Sequence, residues 1–364
     1  MYRRILSWLH VVNVCTIASG VIMTAISLAL HPASTWEEPS PGNPAKESPP
    51  FRLPRVHFVE RESAGLHASP FVDQADVLSL NLTRGCVHRC PFCSVRAHPA
   101  YTGDQTVYLF KNTAQRLDQD LSSRRKRPRA VFISPSTDPF PPLAEIQAET
   151  AQVIGVFARY EVEAWLMTRG FIRPSAMRAL QEHRRWAKVT VCLTTLDRVL
   201  QRRLEALCAS PRMRLRQIAA LRARGIPVQV ALEPLIPGVT DTRECLAPLL
   251  ESLARLGVRR VRTSYLYLRT GIEENLLRAL EPMGLAEEVL ESFSGGPILS
   301  PGTIAHARYL SKARRQRGYA ALMALAAGFG ITVSMCATTN PDFCAPPAAA
   351  AETTCARDLF PCSI

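Results

Sequence analysis

From Val77 to Tyr265 the chain alternates two patterns: short apolar runs rich in β-branched residues, and longer stretches whose apolar positions recur every three or four residues. The first pattern marks a strand, and the second marks a helix that buries one face. The runs predict strands over 77–82, 129–134, 161–168, 188–194, 227–233 and 259–265. Helices are predicted between them, among them Thr113–Leu121, Glu145–Tyr160, Pro174–Gln181 and Thr242–Leu256. Strands and helices in alternation form βα units around a parallel sheet, so the fold class is α/β. In such folds chemistry collects at the C-terminal ends of the strands. A further helix, Gly318–Phe329, and an apolar run, Ile331–Met335, precede a short tail.

Size and charge narrow this picture only partly. With 364 residues the chain can bury a large core, and one main domain with appendages is expected. The net charge is +13, with a dense run from Arg124 to Arg129 and more arginines between Arg202 and Arg224. That surplus suits nucleic acid or another anionic partner, and equally suits solvated helix faces. Eleven cysteines are many for a chain without a metal, yet their grouping is not that of a secreted disulfide scaffold. Cys15, Cys192, Cys208 and Cys245 stand alone and read as small buried apolar residues.

The N-terminal region reads differently. No charged side chain occurs from Ile5 to Leu30 and Arg3-Arg4 precedes them, which is enough for a membrane span or a signal sequence. The positive-inside rule would then place the rest outside the cytoplasm. Residues 32–54, rich in Pro, Ser and Glu, read as linker. The reading adopted is a leader that the core does not need, with the protein in the cytoplasm. The expected division is 1–50 leader and linker, 51–76 lead-in, 77–270 core and 271–364 C-terminal extension.

The most specific feature follows the first strand. Cys86-Val-His-Arg-Cys90-Pro-Phe-Cys93 sets three thiols at gaps of three and two residues. Three thiolates can hold three irons of a [4Fe-4S] cluster and leave the fourth open. A structural zinc site would need a fourth ligand, for which His88 or His98 is at hand. The cysteine spacing, with aromatic Phe92 just before the last thiol, resembles the signature of the radical S-adenosylmethionine (SAM) superfamily. That resemblance implies an open (β/α)6 partial TIM-type barrel, a cluster on Cys86, Cys90 and Cys93, and SAM as cofactor.

The strand exits extend the likeness to the spore photoproduct lyase-like branch. Ser134-Pro-Ser136-Thr137-Asp138-Pro139-Phe140 after the second strand is similar to its Thr-Asp-Pro-aromatic motif, and the resemblance gives Ser136, Thr137 and Asp138 to the methionyl amino group of SAM. Thr168-Arg169-Gly170 and Thr194-Thr195-Leu196-Asp197 close the third and fourth strands, and the resemblance turns Thr168 and Thr194 toward the ribose and carboxylate. Hydroxyl and guanidinium groups suit such partners. Arg214, with Glu205 beside it, is the candidate for the carboxylate. Leu235 and Ile236, in Glu233-Pro234-Leu235-Ile236-Pro237-Gly238, are candidate adenine contacts.

Cys336, Cys344, Cys355 and Cys362 could bind a second cluster or a zinc ion, although their gaps are wide and irregular. The likeness includes Cys336-Ala337-Thr338-Thr339-Asn340-Pro341-Asp342, which places Cys336 near the barrel mouth.

The resemblance implies an enzyme that cleaves SAM reductively to a 5′-deoxyadenosyl radical for hydrogen abstraction, with electrons from a flavodoxin or ferredoxin and a nucleic-acid substrate in view. This chain has Ser136 where the branch's lyase carries a hydrogen-donating cysteine, so thymine-dimer repair itself is not expected. Two rivals are a peptide- or small-molecule-modifying radical enzyme with an auxiliary cluster, and a non-enzymatic zinc module that binds nucleic acid.

Overall fold

Each predicted strand lies on one sheet in the computed structural model, which describes residues 52–69, 74–302 and 305–343. The strands are β1 (Val77–Leu80), β2 (Ala130–Ile133), β3 (Glu163–Thr168), β4 (Ala187–Cys192), β5 (Val228–Leu235) and β6 (Arg260–Tyr265). A seventh strand, β7 (Thr332–Met335), pairs in parallel with β6 from Arg260 opposite Thr332 to Thr263 opposite Met335. The order is β1 to β7 in sequence, with His67–Ala68 antiparallel on the outer side of β1. The two edges do not pair, so the barrel is open as expected, and it draws a strand from beyond residue 270.

Helices α1 (Thr113–Ser123), α2 (Ala144–Arg159), α3 (Pro174–Glu182), α4 (Arg198–Leu204), α5 (Pro211–Ala223) and α6 (Arg243–Arg255) fall between the strands. After β6 come α7 (Glu273–Leu280), α8 (Ala286–Glu291) and α9 (Lys312–Ala327). Their starts follow local chemistry: Asp197, Ser210, Thr242 and Ser311 accept backbone N–H bonds as N-caps, and Pro174 and Pro211 open α3 and α5. The last helix begins six residues before the sequence-based start at Gly318. Its first turns are basic, but Arg315 there is fully buried and pairs with Asp342 at 2.6 Å, so tertiary contacts extend what periodicity alone stops.

Alternate strand residues face opposite sides. Leu80, Val131, Ile133, Ala164, Leu166, Val189 and Val191 pack with the helices in the main core, the largest favourable contribution to folding. On the inner side Val77, Ala130, Phe132 and Trp165 form a small plug. Below it Glu163 accepts from Trp165 Nε1 and from Lys188 Nζ, each at 2.8 Å. Among the described residues, the interior holds a cavity toward the C-terminal strand ends. A three-stranded sheet of Arg55–Val59, Thr106–Phe110 and Thr83–Arg84 brackets the loop that carries the three cysteines. No helix among the described residues is long and apolar enough to cross a membrane. Ile5–Leu30 lies outside the described residues.

Candidate active site

The cysteine loop is held at both ends. At its start Gly85 has φ +89°, and a Cβ there would come within 2.2 Å of Thr102 Oγ1 and 2.7 Å of Thr106 O, so only glycine lets the chain leave the sheet here. At its end Arg96 forms a bidentate pair with Asp104, with contacts of 2.7 and 3.0 Å. Arg269, just past β6, reaches back to Ser94 O at 3.2 Å. The loop is thus tied to both ends of the barrel.

Cys86, Cys90 and Cys93 line a single cavity of about 240 Å³ at the strand ends, together with Ser136, Thr137, Asp138, Thr168, Arg169, Glu233, Arg262 and Cys336. Burial, and the repulsion that each thiolate exerts on the others, push the Cys86 and Cys93 thiols up. Metal cations reverse that balance, because they favour the thiolate. Cys90 behaves differently, since Cys208 Sγ at 3.8 Å favours its thiolate and lowers it. Cys208, read from sequence as an isolated core residue, is therefore a neighbour of Cys90. Three soft donors on one cavity wall fit an iron-sulfur cluster. His88 does not complete a zinc site: its Nδ1 meets Leu207 O at 3.0 Å and its Nε2 lies 3.0 Å from Asp138 Oδ2. The second contact is off the line of a hydrogen bond and acts as an ion pair.

Asp138 is a hub. Its carboxylate accepts from Thr168 Oγ1, Arg169 N and Phe140 N, each at 2.7 Å, besides facing His88. Burial alone would push this carboxyl up; His88 and the backbone donors outweigh it and hold Asp138 below its ordinary range. The same carboxylate, after burial's opposing effect, raises His88. Gly170 lets the exits of β2 and β3 meet, since a Cβ would sit 1.8 Å from Phe140 O. Thr137 differs from its neighbour: its buried hydroxyl has no partner among the described residues, on the wall of the cavity. A hydroxyl left so can meet an ammonium or amide group of a ligand.

Arg214 and Glu205 lie behind the cavity wall. Both are fully buried and bonded to each other, and Arg214 also donates to Cys192 O at 2.7 Å and Ala209 O at 2.9 Å. Arg214 and Arg169 outweigh burial and hold Glu205 at about 2. Thr194 donates to Glu205 Oε1 at 2.7 Å. Of Arg169, Thr194, Glu205 and Arg214, Arg169 alone lines the cavity, over the Phe92 ring at 5.1 Å, donating to Glu205 at 2.6 Å and to Glu233 O at 2.8 Å. Leu235 and Ile236 are buried in the main core. Of the candidate SAM contacts, then, Phe92, Ser136, Thr137, Asp138 and Thr168 meet the cysteines on the cavity, while Thr194, Glu205, Arg214, Leu235 and Ile236 stand behind it.

Sequence reasoning missed Arg169, Glu233 and Arg262 as cavity residues. Arg169 adjoins Thr168 at a strand exit, and Glu233 and Arg262 sit at inward positions of β5 and β6, which was the available signal. Cys336 does reach the mouth, where Asn340 Nδ2 donates to its carbonyl at 2.9 Å and Asn340 Oδ1 accepts from Tyr319 at 3.0 Å. Cys344, Cys355 and Cys362 lie outside the described residues.

A profile of the radical SAM superfamily matches residues 80–251, which contain the cysteine loop and the exits of β2 to β5. The chain carries a radical SAM domain. This is the domain type of radical SAM enzymes. An uncharacterized protein of Mycobacterium tuberculosis is 28% identical over 200 residues, 52% of this chain and 59% of that protein. The chain thus spans under two thirds of that relative's length. A radical SAM Nalpha-GlyT isomerase of Pseudomonas phage M6 is 23% identical over 221 residues, 58% of this chain and 45% of that one. Among solved structures, a spore photoproduct lyase superposes with a TM-score of 0.61 at 11% identity, covering 77% of this chain and 82% of the lyase. Another, complexed with dinucleoside spore photoproduct, gives 0.59 at 10% identity with the same coverage, 77% and 82%. At that identity the likeness establishes the fold.

Proposed function

We propose that this chain is a radical SAM enzyme acting on a nucleic-acid base, with a [4Fe-4S] cluster on Cys86, Cys90 and Cys93. The observation that carries the reading is the convergence of these thiols and the unpartnered Thr137 hydroxyl on one cavity in a radical SAM domain. Cluster and SAM, when bound, supply the electron transfer and the 5′-deoxyadenosyl radical that abstracts hydrogen. The chain's own residues bind and orient. Thr137, with Ser136 beside it, receives the amino group of SAM. Arg169 meets its carboxylate, held in place by Glu205, Thr194 and, through Glu205, Arg214. Asp138 and Thr168 lock the exits of β2 and β3 against the cysteine loop, and Leu235 and Ile236 pack behind the wall.

A nucleic-acid substrate is supported by the fold shared with a lyase solved with a dinucleoside photoproduct, and by the +13 charge. Ser136 offers no thiol, so the product radical is not expected to be quenched there, and repair of a thymine dimer is not the proposed reaction. Electrons would come from a flavodoxin or ferredoxin in a reducing compartment.

Anaerobic reconstitution of the full chain, with iron, sulfide and 5′-deoxyadenosine measured after dithionite and SAM, tests the reading. About four irons with deoxyadenosine released supports it, and about eight would add a second cluster on the tail cysteines. Zinc without deoxyadenosine would sink it in favour of a metal-stapled binding protein.

A further inference from the structure

We infer that the β5–β6 wall of the cavity reads the hydrogen-bonding edge of a nucleobase through Glu233 and Arg262, a site that deepens, and rests on, the nucleic-acid reading above. Arg262 Nε donates to Glu233 Oε1 at 2.8 Å, and the two side chains are 4% and 15% exposed. Both line the cavity, beside Ser264 and Tyr267. Among the described residues Nη1 and Nη2 of Arg262 have no acceptor and Oε2 of Glu233 has no donor. Taking two ions out of water is unfavourable unless their remaining N–H groups and lone pairs find partners. Arg214 meets that requirement within the protein; Arg262 leaves it to whatever enters the cavity.

The chemistry of the entering group follows from the pair. Arginine and glutamate together are neutral, so they do not select an anion such as phosphate. They set N–H donors beside a carboxylate acceptor, which complements a group with an N–H next to an acceptor atom. The Watson–Crick edge of every base has that arrangement, whereas a sugar-phosphate backbone has no N–H at all. Tyr267, stacked on Tyr309 with centroids 5.5 Å apart and planes at 21°, gives the same wall an aromatic surface of the kind bases favour. Glu233 is also fixed from the other side, because its carbonyl accepts from Arg169 at 2.8 Å. A base read at Glu233 is thereby set against the arginine proposed for SAM.

The test uses the full-length reconstituted protein with SAM present. Fluorescence anisotropy compares the four single-stranded homo-oligonucleotides with an abasic oligomer of equal length and charge. At least one base-bearing oligomer should bind about tenfold tighter than the abasic one, since a polar site left unpaired discriminates strongly. The double substitution Arg262→Met with Glu233→Leu removes both charges and leaves no buried ion alone; it should close the gap to about twofold and keep the salt-dependent binding to the backbone. Glu233→Gln, nearly isosteric, should narrow the gap in the same direction. Equal binding of the abasic oligomer to the unaltered protein overturns the inference, as does a gap that survives the double substitution. Loss of SAM affinity with the gap intact also overturns it, by assigning the pair to the cofactor. Deoxyadenosine release without oligonucleotide reports on the parent reading separately: release with no gap removes only this site, and a gap without release removes only the radical chemistry.

Discussion

Arg214 and Arg262 are both buried arginines paired with a glutamate, one behind the cavity and one on its wall. Arg214 donates to Glu205, Cys192 O and Ala209 O, and Glu205 also accepts from Arg169 and Thr194, so the network is saturated by the protein. Arg262 shares one hydrogen bond with Glu233 and leaves the rest of its donors facing the cavity. The difference teaches how one interior can be both rigid and receptive: closed polar networks fix positions, while open ones recognise. Asp138 belongs to the first kind, and Thr137, one residue before it, to the second.

The sharpest break is Cys90→Ala. SAM cleavage should vanish and iron content fall while the circular dichroism stays that of the folded protein; undiminished deoxyadenosine release would overturn the cluster assignment. Next comes stability. Arg214→Met takes one of two arginines from a fully buried carboxylate, leaving Arg169 as its cation, and should cost about 3 kcal/mol, read from urea midpoints at unchanged slope. Arg262→Met should cost less, because Glu233 can be hydrated from the cavity, and its main effect should be on ligand binding; equal losses for both would erase the distinction.

Acid should probe the closed network too. The Glu205 carboxyl is held at about 2, below its ordinary 4.5, so its stabilisation is complete above the unfolded value and is lost as pH falls from there through about 2. Urea midpoints followed against pH should fall over that window in the unaltered protein, and the part due to this group should be missing in Glu205→Gln. The smallest effect is expected at Thr137→Val. Removing a hydroxyl that the protein leaves unpartnered should not lower stability, yet should raise the KM for SAM about tenfold, the value of roughly one hydrogen bond to a charged group. Lost stability with an unchanged KM would make Thr137 a structural residue.

Much of this was legible in the sequence. The six inner strands fall within two residues of their expected bounds because each is bounded by turn residues and carries β-branched side chains. The cysteine loop was legible because thiol spacing is a strong constraint. The seventh strand was seen only as an apolar run, since nothing local says that Thr332–Met335 pairs with β6. The arginines were the least legible. Sequence placed Arg214 toward SAM, and whether a guanidinium faces a ligand or a carboxylate behind the wall depends on which way the helix start at Pro211 turns it, a tertiary fact. Cys208 was hidden for the same reason: it comes from more than a hundred residues away to lie 3.8 Å from Cys90.

The most direct test of the central claim is electron paramagnetic resonance of the anaerobically reconstituted, dithionite-reduced protein before and after SAM. If Cys86, Cys90 and Cys93 leave one iron open toward Thr137 and Arg169, a reduced [4Fe-4S] signal should be present and its g values should shift when SAM binds. A signal that SAM leaves untouched, or a protein that holds only silent zinc, would contradict the account.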